Sequence, residues 1–391
     1  MKAKKISFVV VILAVILITA CDGAQMTEVI SSEVPEIENN ETRLTDDEHQ
    51  AEKQKDPPLV LDSEPLLRSN NIITQKNANQ LVEIQSYKNA PVFDFAWSPD
   101  GNTLALATSS RVSLIDIHTH EEIIWDSKKN FPSIGHFISF NPNGEMLAVS
   151  SGKQVEIYDT ESQTKLFILD DFEDMGVFGI AFSPDNTKLA TGWGHPWLPD
   201  TGSVKIWDMS SGKLVTELGR NLKETICNLA FNQEGDLLGT IGVEGQVRIW
   251  NILEETEVIS FTGTSGYGES IAFSPDGSLL AVGGAASDGR SYSYKPAELH
   301  LFDLSSGDLL FDLEGHQSLV RSLSFNKDGD VLASASMDGT VHLWNPHTGQ
   351  QLAFFDISDQ TSDWTSVSFS PDGTRLATAG YGDVLRLWGV P

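Results

Sequence analysis

The residue types that could do chemistry are few, and most of them sit together late in the chain. Gly315-His316, the serines Ser334 and Ser336, and Asp338 lie within one short stretch that ends near Trp344. A histidine steadied by a carboxylate is the orienting half of a general-base or nucleophilic site. The same residue types, buried, form a structural hydrogen-bond network, and that is the expected role because buried polar groups are normally satisfied by one another. His118-Thr119-His120 is the nearest approach to a metal-binding pair. It follows directly on a strand pattern and reads as a solvated turn. No nucleophile elbow, phosphate-cradling glycine loop, HExxH or paired-cysteine motif is present, so no catalytic residue, metal ligand or cofactor is assigned.

These residues are positioned by a pattern that recurs every 42 to 52 residues from residue 92 onward. Its first anchor is an aromatic followed by a turn tetrapeptide. Trp97, Phe273 and Phe369 lead into SPDG, and Phe140, Phe182, Phe231 and Phe325 into NPNG, SPDN, NQEG and NKDG. Proline suits the second turn position, and Asp and Gly the later ones, which need side-chain bonding or φ above zero. The second anchor closes a later strand: Ile115-Asp116, Tyr158-Asp159, Trp207-Asp208, Trp250-Asn251, Phe302-Asp303, Trp344-Asn345 and Trp388-Gly389. Both anchors occur seven times, and a period of this size indicates a repeat architecture.

Strings such as Val204-Lys205-Ile206-Trp207-Asp208 and Val341-His342-Leu343-Trp344-Asn345 resemble the WD40-repeat family. The resemblance implies an all-β, seven-bladed β-propeller over residues 80–391, each blade a four-stranded antiparallel sheet. It also implies that His316, Ser334, Asp338 and Trp344 form the family's structural tetrad, which the other copies keep only in part. The chain stops just after a third strand, and Gln80-Leu81-Val82-Glu83-Ile84 resembles the outer strands of other copies. That segment is expected to complete the last blade and close the ring, because an open end would expose strand edges.

In a propeller of this kind, the loops between second and third strands share a top face with those entering each first strand. Two insertions fall there. One carries Trp193 and Trp197, and the other runs from Ser287 to Pro296 with Arg290, Tyr292, Tyr294 and Lys295. Exposed Trp, Tyr and Arg are frequent interface anchors, so these loops are expected partner contacts. A second expected ring, flanking the central channel, consists of Phe93, His136, Phe178, Tyr267, Arg321 and Thr365.

The N-terminus adds an address. Lys2, Lys4 and Lys5 precede an apolar run from Ile6 to Ile18, the order of a secretory signal peptide over residues 1–20. Ile18-Thr19-Ala20-Cys21 resembles the bacterial lipobox, which implies that Cys21 is lipidated and that the chain is a secreted lipoprotein on the outer face of a membrane. Residues 21–79 read as the lipidated cysteine followed by a disordered acidic tether, with thirteen acidic and five basic residues from 22 onward and too little apolar surface to fold. The second cysteine, Cys227, sits in a strand pattern, and no disulfide is expected. Acidic residues outnumber basic ones 55 to 26, for a net charge of −29, which argues against a nucleic-acid partner.

The expected function is a non-enzymatic scaffold or sensor that binds a protein or peptide through the top face in the cell envelope, with no small-molecule substrate. The alternative is an envelope hydrolase or lyase using acidic top-face residues with a divalent cation.

Overall fold

The computed structural model describes residues 60–61, 71–88, 92–108, 111–125, 137–172, 176–194, 201–286, 296–357, 365–380 and 384–391. They form seven antiparallel sheets, six of four strands and one of five. The first blade comprises Val92–Trp97, Thr103–Thr108, Val112–Asp116 and Glu122–Ile124. The others follow in chain order, so the seven-bladed, all-β expectation holds.

Strand position in the blade decides which residues the sequence places there. Second strands are covered on both faces by neighbouring blades and read as continuous apolar or small runs; Leu279–Ala285 and Leu332–Ser336 are buried throughout. Outer strands meet solvent, and Thr256–Thr262 and Gln351–Asp356 alternate between exposed and half-buried. Between blades the core is a set of wedges. Ala281, Leu299 and Leu301 of the fifth blade, for example, pack on Val320, Leu332 and Trp344 of the sixth.

Ring closure follows the expected route. Strand Val82–Lys88 pairs antiparallel with Val384–Gly389, from Val82 opposite Gly389 to Lys88 opposite Val384. Ile84 and Tyr87 join one apolar cluster with Val92 and Leu104 of the first blade and Leu385 and Leu387 of the seventh. Val60–Leu61 pairs outside this strand and gives the seventh blade its fifth member.

The packed region also begins earlier than residue 80, which corrects the tether boundary. Ile73 is fully buried among Val331, Val367 and Trp388. Its N–H donates to Gly373 O at 2.8 Å, and its carbonyl accepts from Asn326 Nδ2 at 2.9 Å. Asn345 Nδ2 donates to Gln75 Oε1, tying the same strap to the sixth blade. The strap was invisible in the average composition of residues 22–79 because a few apolar side chains, Ile73 and Ala78 among them, do the packing.

The seven turn tetrapeptides gather on one face. Their last residues take φ between 63° and 77°, and Asn186 adopts that conformation in the copy that lacks glycine. Consecutive turns touch: a β-carbon on Gly144 would lie 3.3 Å from Pro99 Cδ, and one on Gly329 equally close to Pro275. A β-carbon on Gly101 of the first turn would lie 3.8 Å from Pro371 Cδ of the last, so this ring of turns is also closed.

Candidate functional site

The opposite end of the first strands builds the site. In five blades the pairing between first and second strands slips by one residue, between Val92 and Asp94, Val177 and Gly179, Ile226 and Asn228, Gly268 and Ser270, and Val320 and Ser322. The residues left over are Phe93, Phe178, Cys227, Glu269 and Arg321. Such a β-bulge frees one residue from the ladder and re-aims its side chain. Each bulged residue precedes its blade's turn aromatic by four positions, so the repeat sets out an axial ring of its own.

Within this ring lies a cavity of about 160 Å³ whose walls draw on all seven blades. Phe93 and Asp94 come from the first blade, Phe137 from the second, Cys227 from the fourth, Glu269 from the fifth, Arg321 from the sixth and Thr365 from the seventh. The Arg321 guanidinium meets the Glu269 carboxylate at 2.7 Å. Burial nonetheless pushes the Glu269 carboxyl up, with Arg321 opposing the shift. Asp94 accepts the Ile138 N–H at 3.0 Å on Oδ2. Burial outweighs that bond and raises its carboxyl to about 7. The Cys227 thiol is free and buried, and burial, reinforced by the Glu269 charge, pushes its pKa well up. It stays protonated and is a poor nucleophile.

The expected residues fall out as follows. Phe93, Arg321 and Thr365 line the cavity. Phe178 is bulged, but its ring folds back so that a β-carbon on Gly176 would lie 3.1 Å from it. Tyr267 is displaced from the expected ring: it pairs with Ala285 at the strand's start, and Glu269, two residues on, takes the axial position. Trp193 is not an exposed loop residue. It continues strand Lys188–Gly194 opposite Ser203, is 6% exposed, and packs with Val177 and Trp207. Lys205 Nζ lies 4.9 Å above its ring, which fixes the indole inward. Cys21, His136, Trp197, Arg290, Tyr292, Tyr294 and Lys295 lie outside the described residues. The sequence reading missed Asp94, Cys227 and Glu269. A constant offset of four from each turn aromatic would have found the last two.

The His316 cluster has the atoms of a catalytic triad but no access. Ser334 Oγ lies 2.8 Å from His316 Nε2, and His316 Nδ1 lies 3.2 Å from Asp338 Oδ2. Trp344 Nε1 donates to the same Ser334 Oγ at 2.9 Å. Ser334 is fully buried, so no substrate carbonyl can reach its hydroxyl. The cluster bonds the blade's edge to its middle strands. Three other blades retain only its indole arm, with Trp207, Trp250 and Trp388 donating to Thr191, Thr240 and Thr378 at 2.9 to 3.1 Å. His120 likewise serves packing: its Nδ1 accepts from Gln85 Nε2 at 2.6 Å, joining the first blade to the closing strand. Among the described residues, no group of three His, Cys, Asp or Glu side chains is placed to hold a metal ion.

Comparison with known proteins agrees with this architecture. The family model for the WD domain, G-beta repeat, matches residues 307–345 and 350–389. A model described as eukaryotic translation initiation factor eIF2A matches residues 68–225. Periodic tryptophan protein 2 of Saccharomyces cerevisiae is 28% identical over 213 residues, which are 53% of this chain and 21% of that protein. Transducin beta-like protein 3 of Bos taurus is 26% identical over 212 residues, 54% and 25% of the two chains. Apoptotic protease-activating factor 1 of Mus musculus is 30% identical over 256 residues, 65% and 18%. The matched region is thus about a quarter or less of each of these relatives.

Proposed function

We propose, on the premise that this chain is a WD40-like propeller, that it is a non-catalytic interaction module which docks a protein or peptide over the open end of its channel. The supporting observation is the bulged ring: five blades each release one residue from the ladder at the same end, around a cavity walled by all seven. A rigid closed ring holds such residues with little ordering cost on binding. Cys21, in this reading, carries the lipid that keeps the module at the outer face of a membrane.

The test uses the detergent-solubilised full chain. Whatever co-elutes with the wild type is expected to drop about tenfold or more when Phe93 or Phe137, both in the wall of the channel mouth, is changed to Ala. It should be unaffected by Val215→Ala on an outer strand, where Val215 is exposed. Equal co-elution with all three variants removes the channel mouth as the docking face. Separately, Cys21→Ala should release the protein from membranes, and continued uptake of labelled lipid by that variant refutes the anchor.

A further inference from the structure

We propose that the axial cavity is a binding site for an alkylammonium group, with the Asp94 carboxylate as its counter-ion and Thr365 Oγ1 as a neutral acceptor. Charge is the first reason. Glu269 and Arg321 neutralise one another at 2.7 Å, whereas among the described residues no basic side chain forms an ion pair with Asp94. Among the described lining residues Asp94 is therefore the carboxyl without a cationic partner, free to ionise against a bound cation. Thr365 is the second reason: it is 1% exposed, lines the cavity, and its Oγ1 has no hydrogen-bond partner. A buried hydroxyl left unpaired costs free energy that a donor from a ligand would recover.

Shape and geometry narrow the class. At about 160 Å³ the cavity is smaller than the roughly 300 Å³ at which drug-sized pockets begin; it accepts a side-chain-sized group. Phe93 and Phe137 in the wall offer apolar surface to an alkyl stem. Asp94 already accepts the Ile138 N–H on Oδ2 and a bond from the Phe95 N–H, so it offers a ligand only the remaining lone pairs of a partly filled carboxylate. That suits an ammonium, whose three donors need no common plane. An anion would find Arg321, the one cation among the described lining residues, already engaged.

Titration supplies a signature. The empty cavity holds the Asp94 carboxyl near 7, and a bound cation favours its ionised form. Binding should therefore release protons and strengthen as pH rises from 6 to 8. Cys227 stays a thiol, while Glu269, whose carboxyl burial also raises against the pull of Arg321, shares the wall, so loss of the pH dependence in Asp94→Asn is what assigns the proton to Asp94.

The ammonium could come from a free alkylamine or from a lysine side chain of a docked partner. Calorimetric titration of the full chain at pH 6, 7 and 8 with n-butylammonium, and separately with an end-blocked Gly-Lys-Gly peptide, separates the two sources. Butylammonium binding alone identifies a free amine as the ligand, and peptide binding identifies a side chain. In either arm Asp94→Asn should weaken binding about tenfold and Thr365→Val about threefold. An acetyl-lysine peptide should not bind. Failure of both cations to bind the wild type, or unchanged affinity in Asp94→Asn, overturns the proposal. Should Asp94→Asn not fold, Thr365→Val decides alone. The outcome is separable from the docking reading, since butylammonium binding persists if partner capture fails, and partner capture persists if the cavity takes no cation.

Discussion

Asp338 in the sixth blade and Asp94 beside the axis are carboxylates withdrawn from solvent by the same fold, yet their surroundings treat them in opposite ways. Asp338 accepts the Gln317 N–H at 2.6 Å, the Thr340 N–H at 2.9 Å and the Thr340 hydroxyl at 2.6 Å, with His316 Nδ1 at 3.2 Å. Burial works against its charge, but these bonds outweigh it and hold the carboxyl far below the usual carboxylate range. Asp94 has the Ile138 and Phe95 N–H groups against a larger burial penalty, and it rises to about 7. A carboxylate whose lone pairs are filled by its own blade is frame. One that the fold leaves short of donors at a cavity wall is where a ligand can complete the set.

The comparison is broken most directly at the frame. Trp344 is almost fully buried, and Trp344→Ala should cost about 3–5 kcal/mol in chemical denaturation. A loss under about 1 kcal/mol would mean that the sixth blade is not the anchor it looks like. Ser334→Ala removes the acceptor of the Trp344 indole and the partner of His316 Nε2 together, for a cost of about 1–3 kcal/mol. The same substitution at Ser366, in the cavity wall, should stay within about 0.5 kcal/mol.

Asp94→Asn tests the other half. Its folded pKa of about 7 lies above the ordinary aspartate value, so the native state holds more protons than the unfolded chain between about pH 4 and 7. Its contribution to stability is complete below that window and is lost as pH rises through 7. The variant should be more stable than wild type at pH 8, on the order of 1–2 kcal/mol after screening. Equal denaturation midpoints at pH 8 would show that Asp94 is adequately solvated. Asp338 has the reverse sign: its depressed pKa supports the fold above the ordinary carboxylate range and fails only as acid protonates it.

The frame was legible in the sequence because every repeat states it twice, once in the turn tetrapeptide and once in the strand-ending pair. Seven copies of each settled blade number, strand order and the glycine turn positions, while the left-handed Asn186 emerged only from the structure. The tetrad was legible through the family resemblance, which places His316, Ser334, Asp338 and Trp344 in the sixth copy, and not through the repeats, since the other copies keep it only in part. The channel was harder to read. Bulges leave no compositional mark, so Tyr267 stood in for Glu269 and Cys227 was passed over, although both follow the repeat's own offset. Trp193 misled because an aromatic beside an insertion looks exposed, while strand alternation carries it inward next to Lys205. Ile73 was lost in an acidic stretch whose mean composition says nothing about one buried side chain.

The smallest effect divides the frame itself. His342 lies against His316 in a tilted ring contact at a centroid distance of 4.0 Å, and its Nδ1 is buried without a hydrogen-bond partner. Burial, and then the neighbouring His316, pushes its pKa down to about 4. The unfolded chain, with an ordinary histidine, binds more protons between about pH 4 and 6.5, so this residue costs stability as pH falls through that window. That slope opposes the one from Asp94 over nearly the same range, and in the wild type the two partly cancel. His342→Gln should leave stability at pH 8 within about 1 kcal/mol of wild type while uncovering the Asp94 slope, a decline toward alkaline pH. Asp94→Asn should uncover the His342 slope, a decline toward acid. Parallel profiles for both variants would show that neither residue differs between folded and unfolded states, and the contrast between filled and unfilled carboxylates would then have no energetic content.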